Sequence, residues 1–208
     1  MSTQAHNVAR LLIEAGCLKL SPEIPFTYAS GLKGPMYCDN RLLLSDPTRR
    51  GKILEIFGEV LSHLETPEAF IGVATAGIPH AAFLALQKNL PLLYIRSEAK
   101  GHGRQNRLEG NPEGIHKTVL VEDLVNQGGS LAQAISGVQE AGLEVIYCLS
   151  IVDYQMKQSR ILFDDLKIKV HSLTNLTAII EYGQKSGLID EAGASSIRRW
   201  QADPVAWC

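Results

Sequence analysis

Strand-type and helix-type segments alternate from about residue 46 to about residue 186, which predicts an α/β fold with a parallel sheet flanked by helices. Three observations carry this. Residues 118–121 (TVLV) form an apolar, β-branched run of the kind a fully buried parallel strand requires. Glycine turns follow two of the strand-type runs, at Gly77 and at Gly128-Gly129. Helical patterns then end on glycine, at Gly142 and Gly187. We expect one domain over residues 1–208. Its core is about 46–172, and the segments of about 1–45 and 173–208 fold together as a small hood lobe over the sheet edge.

The first helix is marked by Val8, Leu11, Leu12 and Ala15 at helical spacing, with Gly16 as its stop. Residues 26–41 (FTYASGLKGPMYCDNR) contain Gly31, Gly34 and Pro35, which favours strand, turn and strand over helix. Asp46-Pro47 opens a helix with Ile53, Leu54, Phe57, Val60 and Leu61 on one face. Strand 69–75 and helix 78–87 follow, then strand 92–95 and a long polar loop reaching His116. Beyond it come strand 118–121, helix 130–141, strand 145–152 and helix 154–163. Strand 167–173 and helix 177–186 complete the alternation. Ligands of such a sheet bind at the carboxyl ends of its strands.

Composition narrows the function. Hydrophobic residues make up 45 % and charged residues 20 %, which is ordinary for a globular protein. The net charge of −2 offers no general field for nucleic acid or an anionic membrane, so we expect neither as a partner. The apolar runs are strand-sized, which predicts no transmembrane helix, and Glu14 interrupts the first one where a signal peptide would be apolar. Cys17, Cys38, Cys148 and Cys208 are far apart and form no metal or disulfide pattern, so a cytoplasmic location is expected.

The chemistry concentrates in four stretches. In TVLVEDLVNQGGSL, Glu122 and Asp123 stand where the buried strand should end. Asn126, Gln127, Gly128 and Gly129 then lead to Ser130 at a helix start. Glycine lets backbone N–H groups face an anion, and a helix start adds a favourable dipole. The carboxylates would repel a phosphate, so their task is to accept hydrogen bonds from sugar hydroxyls. GVATAGIP is a second strand-to-helix turn in which Thr75, Ala76 and Gly77 leave room for an anion. Either turn alone could be an ordinary connection; two at one edge suit a ligand phosphorylated at both ends. RSEAKGHGRQNRLEG gathers Arg96, Lys100, His102, Arg104 and Arg107 in a loop longer than a compact domain needs, which fits a cationic lid. In the early hairpin, Lys33 and Arg41 accompany Tyr37, Asp39 and Asn40, a mixture able to hold a small planar acid.

These stretches occur in the order found in the orotate phosphoribosyltransferases, a branch of the type I phosphoribosyltransferase family, and the chain resembles them over nearly its whole length. FTYASGLKGPMYCDNR is similar to their base-side hairpin and GVATAGIPHAA to their pyrophosphate loop. RSEAKGHGRQNRLEG resembles their mobile catalytic loop, VLVEDLVNQGGS their phosphoribosyl-diphosphate (PRPP) motif, and SIRRWQADPVAW their C-terminal segment. The resemblance implies phosphoribosyl transfer from PRPP to orotate, with Mg²⁺ held mainly through PRPP and no direct protein ligand. It also implies a homodimer with loop exchange. It assigns the ribose hydroxyls to Glu122 and Asp123, and the 5′-phosphate to Asn126, Gln127, Gly128, Gly129 and Ser130. Thr75, Ala76, Gly77, Arg96, Lys100 and His102 would engage the pyrophosphate, with Lys100, His102 and Asp123 catalytic. Lys33 and Arg41 would take orotate. Ser97 stands where relatives often have lysine, and Asn126 and Gln127 replace hydroxyl residues. Two alternatives stay open: a silent PRPP-binding regulator on the same fold, and a transferase for another nucleobase.

One expectation tests the loop. Lys100→Ala and His102→Ala should each lower kcat far more than they weaken PRPP binding, because their contacts form mainly in the transition state. Single-turnover rates set beside calorimetric PRPP titrations check this. Equal losses in both would make these residues simple binders.

Overall fold

The computed structural model describes residues 3–28, 31–96 and 107–207. The alternating segments form a six-stranded sheet of β5 (Ala69–Val73), β6 (Leu92–Ile95), β7 (Leu108–Glu109), β8 (Lys117–Val125), β9 (Glu144–Asp153) and β10 (Val170–Asn175). Their order is β10-β9-β8-β5-β6-β7, and every neighbouring pair is parallel except β6 and β7. From β5 the chain moves outward to β6, then returns across β5 to place β8 on the other side. That reversal opens a crevice between β5 and β8 at their carboxyl ends.

Side chains on β8 alternate between two cores. Val119 and Val121 pack in one and Leu120 in the other, as the two-residue period of a strand demands; Val125, at the end of β8, breaks the alternation and joins Leu120 in the second. The first core is completed by α1 (Thr3–Glu14), α2 (Pro47–Leu61), α3 (Gly77–Lys88), α6 (Leu176–Lys185) and α7 (Glu191–Ala202), through residues such as Leu12, Phe57, Leu84, Ile179 and Trp200. The second lies under α4 (Gly129–Glu140) and α5 (Lys157–Leu166), with Ile135 and Phe163 pointing into it. Phe57 and Trp200 are almost wholly buried; each such side chain contributes roughly 1.5–3 kcal/mol or more by leaving water.

Both terminal segments lie against this body. Thr174 Oγ1 on β10 donates to the Ala5 carbonyl on α1 at 2.8 Å. Two small antiparallel ladders carry the early hairpin: β1 (Leu18–Leu20) pairs with β4 (Met36–Cys38), and β2 (Phe26–Thr27) with β3 (Lys33–Gly34). A 3-10 turn over Asn40–Ser45 follows, its start capped by the Asp39 side chain, which accepts from the Arg41 N–H at 3.2 Å.

Several boundaries differ from the sequence expectation for local reasons. β8 runs on past Val121 because β9 stays paired with it as far as Val125 opposite Asp153. α5 starts at Lys157 because residues before it form a turn: Asp153 Oδ1 accepts from Gln155 N at 2.6 Å, and Gln155 has φ 53°. Lys167 then caps α5 in the left-handed region, so β10 begins only at Val170. The polar stretch before His116 contains β7, and α7 lies where only an unassigned C-terminal segment was expected.

Candidate active site

After Val73 the chain turns through Ala74, Thr75 and Ala76 into α3. Ala74 N donates to the Ile95 carbonyl at 2.8 Å, which ties the turn to β6. Gly77 passes so close to β8 that a Cβ there would overlap the Val121 carbonyl oxygen. A second turn follows β8, where Gly128 adopts φ 83°. A Cβ on it would stand 3.0 Å from Ser159 Cβ and 3.1 Å from the Phe163 ring, so position and conformation both require glycine. α2, α6 and α7 are capped by the side chains of Asp46, Asn175 and Asp190. The starts of α3, α4 and α5 have no such cap among the described residues. In α3 the Ile78 N–H reaches the Thr75 carbonyl only at 3.4 Å, and the helix dipole favours an anion at the starts of α3 and α4.

Glu122 and Asp123 lie just past the point where β5 stops pairing with β8, at Gly72 opposite Val121. Both are half-buried, and the Asp123 N–H donates to Glu122 Oε1 at 2.9 Å. Burial, and after it the neighbouring Asp123 carboxylate, pushes the Glu122 carboxyl above the usual carboxylate range. From the hairpin side, Asn40 Nδ2 donates to the Asp123 carbonyl at 3.0 Å. Next to it, Arg41 grips Asp39 through Nε to Oδ1 at 2.7 Å and Nη2 to Oδ2 at 2.8 Å. That fork holds the Asp39 carboxyl below its ordinary value and raises the Arg41 guanidinium, to which the Asp123 charge also contributes. On α3, His80 is buried, and desolvation holds its imidazole below the ordinary histidine value against the opposing charge of Asp123.

A cleft of about 770 Å³ lies between the β8–α4 turn, the hairpin, α5 and α7. Its walls include Tyr28 and Leu32, Glu122, the turn from Asn126 to Ser130, and Trp200. Trp200 is held edge-on to Tyr154 at 5.5 Å between centroids, with Tyr28 at 6.4 Å.

The expected residues distribute as follows. Glu122, Asn126, Gln127, Gly128, Gly129 and Ser130 line the cleft. Asp123 follows Glu122 on β8 but does not line the cleft; its carbonyl accepts from Asn40. Thr75, Ala76 and Gly77 occupy the adjoining turn, brought against β8 by the close approach at Gly77. Arg96 is half-buried beside Glu109, with 3.6 Å between Nη1 and Oε1, and its N–H donates to the Arg107 carbonyl at 3.0 Å. Arg107, read in the sequence as one of the loop's cations, instead donates to the Gln133 carbonyl at 3.0 Å and anchors the loop base on α4. Arg41 is exposed in its fork with Asp39, and Lys33 is exposed on β3. Lys100 and His102 lie outside the described residues.

Sequence reasoning missed the structural parts of Asn40, Tyr28 and Trp200 and the whole α5 wall with Gln158 and Ile161. Asn40 had a signal, being a small amide directly after a strand. The α5 wall had none, because which helix faces the phosphate turn is a property of the sheet order.

An α/β sheet with two open helix starts and a carboxylate pair at its reversal point defines a phosphoribosyl transferase domain, and the family of that description matches residues 51–185. Orotate phosphoribosyltransferase of Bacillus cereus is 39 % identical over 203 residues, covering 96 % of this chain and 97 % of its own length. The crystal structure of orotate phosphoribosyltransferase from Aeropyrum pernix superimposes with a TM-score of 0.76 at 33 % identity, covering 88 % of this chain and 99 % of that one. The Mycobacterium tuberculosis enzyme in complex with PRPP has the same fold, with a TM-score of 0.64 at 18 % identity over 85 % of this chain and 98 % of that one. The chain belongs to the orotate phosphoribosyltransferase family.

The raised carboxyl of Glu122 has a measurable consequence. In the unfolded chain this group releases its proton at the ordinary glutamate value, so stability falls as pH rises from that range through the raised one. Glu122→Gln removes the effect. Its melting temperature should exceed that of the wild type most at about pH 9 and above, and the gain should shrink as pH drops toward about 5. Parallel melting curves across that window would show that Glu122 titrates normally in the folded protein.

Proposed function

We propose that the protein transfers the phosphoribosyl group of PRPP to N1 of orotate, releasing pyrophosphate and orotidine 5′-monophosphate. The observation that carries this is the meeting of two uncapped helix starts with Glu122 and Asp123 at one sheet edge. A ligand with phosphate at both ends and hydroxyls between them matches that layout.

In this reading the start of α4, with Asn126 to Ser130, holds the 5′-phosphate. Thr75, Ala76 and Gly77 hold the pyrophosphate end, with Arg96 and, from the loop, Lys100 and His102. Glu122 and Asp123 accept hydrogen bonds from the ribose hydroxyls. Those donors favour the ionised carboxylates and so offset the cost of their burial. As the glycosidic carbon loses its leaving group, positive charge develops on the sugar and negative charge on pyrophosphate. The carboxylates answer the first, and the helix starts with the loop cations the second. No nucleophile is required; positioning and electrostatics supply the acceleration. The donor set at this edge is oxygen-rich and hard, which fits a Mg²⁺ ion held mainly by PRPP oxygens. That ion neutralises diphosphate charge.

Orotate lies against the hairpin, where Arg41 and Lys33 take its carboxylate. Although Asp39 holds two of its donors, the guanidinium retains others, and the paired aspartate keeps the fork oriented. Asn126 and Gln127 are exposed at the cleft wall, and both amides can donate to phosphate, so their presence leaves the cradle usable. This supports an active enzyme over a silent binder. The terminal segments, about 1–45 and 173–208, form the hood that contributes Tyr28 and Trp200 to the cleft. The active form is a cytoplasmic homodimer in which each loop completes the partner's site.

The test is PRPP-dependent consumption of orotate, with uracil, adenine and hypoxanthine as controls. Arg41→Ala should raise the KM for orotate about tenfold or more, the loss of one charge-assisted contact, while the KM for PRPP changes little. Turnover of a purine base instead of orotate would overturn the reading, and equal effects of Arg41→Ala on both substrates would make Arg41 structural.

A further inference from the structure

We propose that Asn40 is a positioning residue for the transfer: its buried carboxamide sets the Asp123 stretch of β8 relative to the hairpin that carries Arg41. The inference rests on the transferase reading above.

The observation is one contact between residues 83 apart in the chain, Asn40 Nδ2 donating to the Asp123 carbonyl at 3.0 Å. Asn40 is 0 % exposed, and Cys38 Sγ approaches its Oδ1 at 3.5 Å. Buried amides are found where their hydrogen bonds are met, and this one is met from both ends. Its place in the sheet matters. Pairing of β8 with β5 ends opposite Val121, while pairing with β9 continues to Val125. Past Val121, β8 therefore has a single strand neighbour, and the carboxamide from the hairpin braces the carbonyl there.

Asn40 stands between two residues with a different task. Asp39 caps the 3-10 turn and forks Arg41, so the orientation of that turn sets the orientation of the guanidinium. A rotation of the turn moves Arg41 and releases Asp123 together. Reactions accelerated by positioning are sensitive to such shifts, and a displacement of about 1 Å can cost about a hundredfold in rate. A side chain that only fills space would not link the two substrate sides.

Wild type, Asn40→Ala, Arg41→Ala, the double variant and Cys38→Ala are compared in steady state at a temperature well below the lowest melting point. Asn40→Ala should lower kcat about tenfold or more with a small change in the KM for PRPP. Cys38→Ala removes the thiol's contacts with the amide oxygen and with Tyr154 but leaves the Asn40–Asp123 bond, so its kcat should fall much less than that of Asn40→Ala. The cost of Arg41→Ala in kcat/KM for orotate should be smaller in the Asn40→Ala background than in the wild type, because the two act through one turn. Asn40→Ser serves the same comparison if the alanine variant does not fold. Unchanged kcat on loss of the amide overturns the proposal, and so do strictly multiplicative effects with Arg41→Ala. A wild-type protein without orotate turnover would instead refute the reaction on which the proposal rests.

Discussion

Gly77 passes the Val121 carbonyl with room for a hydrogen and nothing larger, and the site depends on that approach. It carries the β5–α3 turn against β8 where the pairing of the two strands ends. Gly72, earlier in the same connection, is equally confined: a Cβ there would stand 2.6 Å from Ile78 Cα. Two glycines thus bring one open helix start beside the carboxylate pair, and Gly128 sets the second start on the other side. Pyrophosphate and 5′-phosphate lie at opposite ends of PRPP, so in the proposed function the spacing of these turns would decide whether the ligand is bridged.

The electrostatics at this edge oppose folding and favour binding. Two adjacent half-buried carboxylates destabilise the empty protein, seen in the upward push on Glu122. Two uncapped helix starts likewise forgo the stabilisation that Asp46, Asn175 and Asp190 give elsewhere; a cap contributes typically about 1 kcal/mol. On the function proposed above, sugar hydroxyls and phosphate oxygens would offset both costs. Sites that bind polar ligands by fixed groups characteristically hold such unmet demand. Around them the fold is ordinary: two cores, a mostly parallel sheet, and aromatic packing of Trp200 against Tyr154 and Tyr28 that holds α7 by the hairpin.

Legibility in the sequence followed the range of the interactions. The strand of Val119 to Val121, the helix of Ile53, Phe57 and Leu61, and the strand-to-turn units at Gly77 and Gly128 are local, and their composition announces them. α7 was harder, because Ala194, Ile197 and Trp200 are the only large part of its buried stripe and polar residues surround them. β7 is two residues long and exists by pairing with β6. Arg107 looked like a loop cation because nothing in the sequence shows that α4 offers it a carbonyl. The Asn40 brace joins residues 83 apart, and no window of sequence contains both.

The proposed pyrophosphate half of the site rests on the approach at Gly77, and calorimetric titration of Gly77→Ala with PRPP tests this most directly. The added methyl should push the β5–α3 turn off β8 and weaken PRPP about tenfold or more, in a protein that still melts cooperatively. Wild-type affinity in that variant would contradict the account, because the ligand would then be held without the turn.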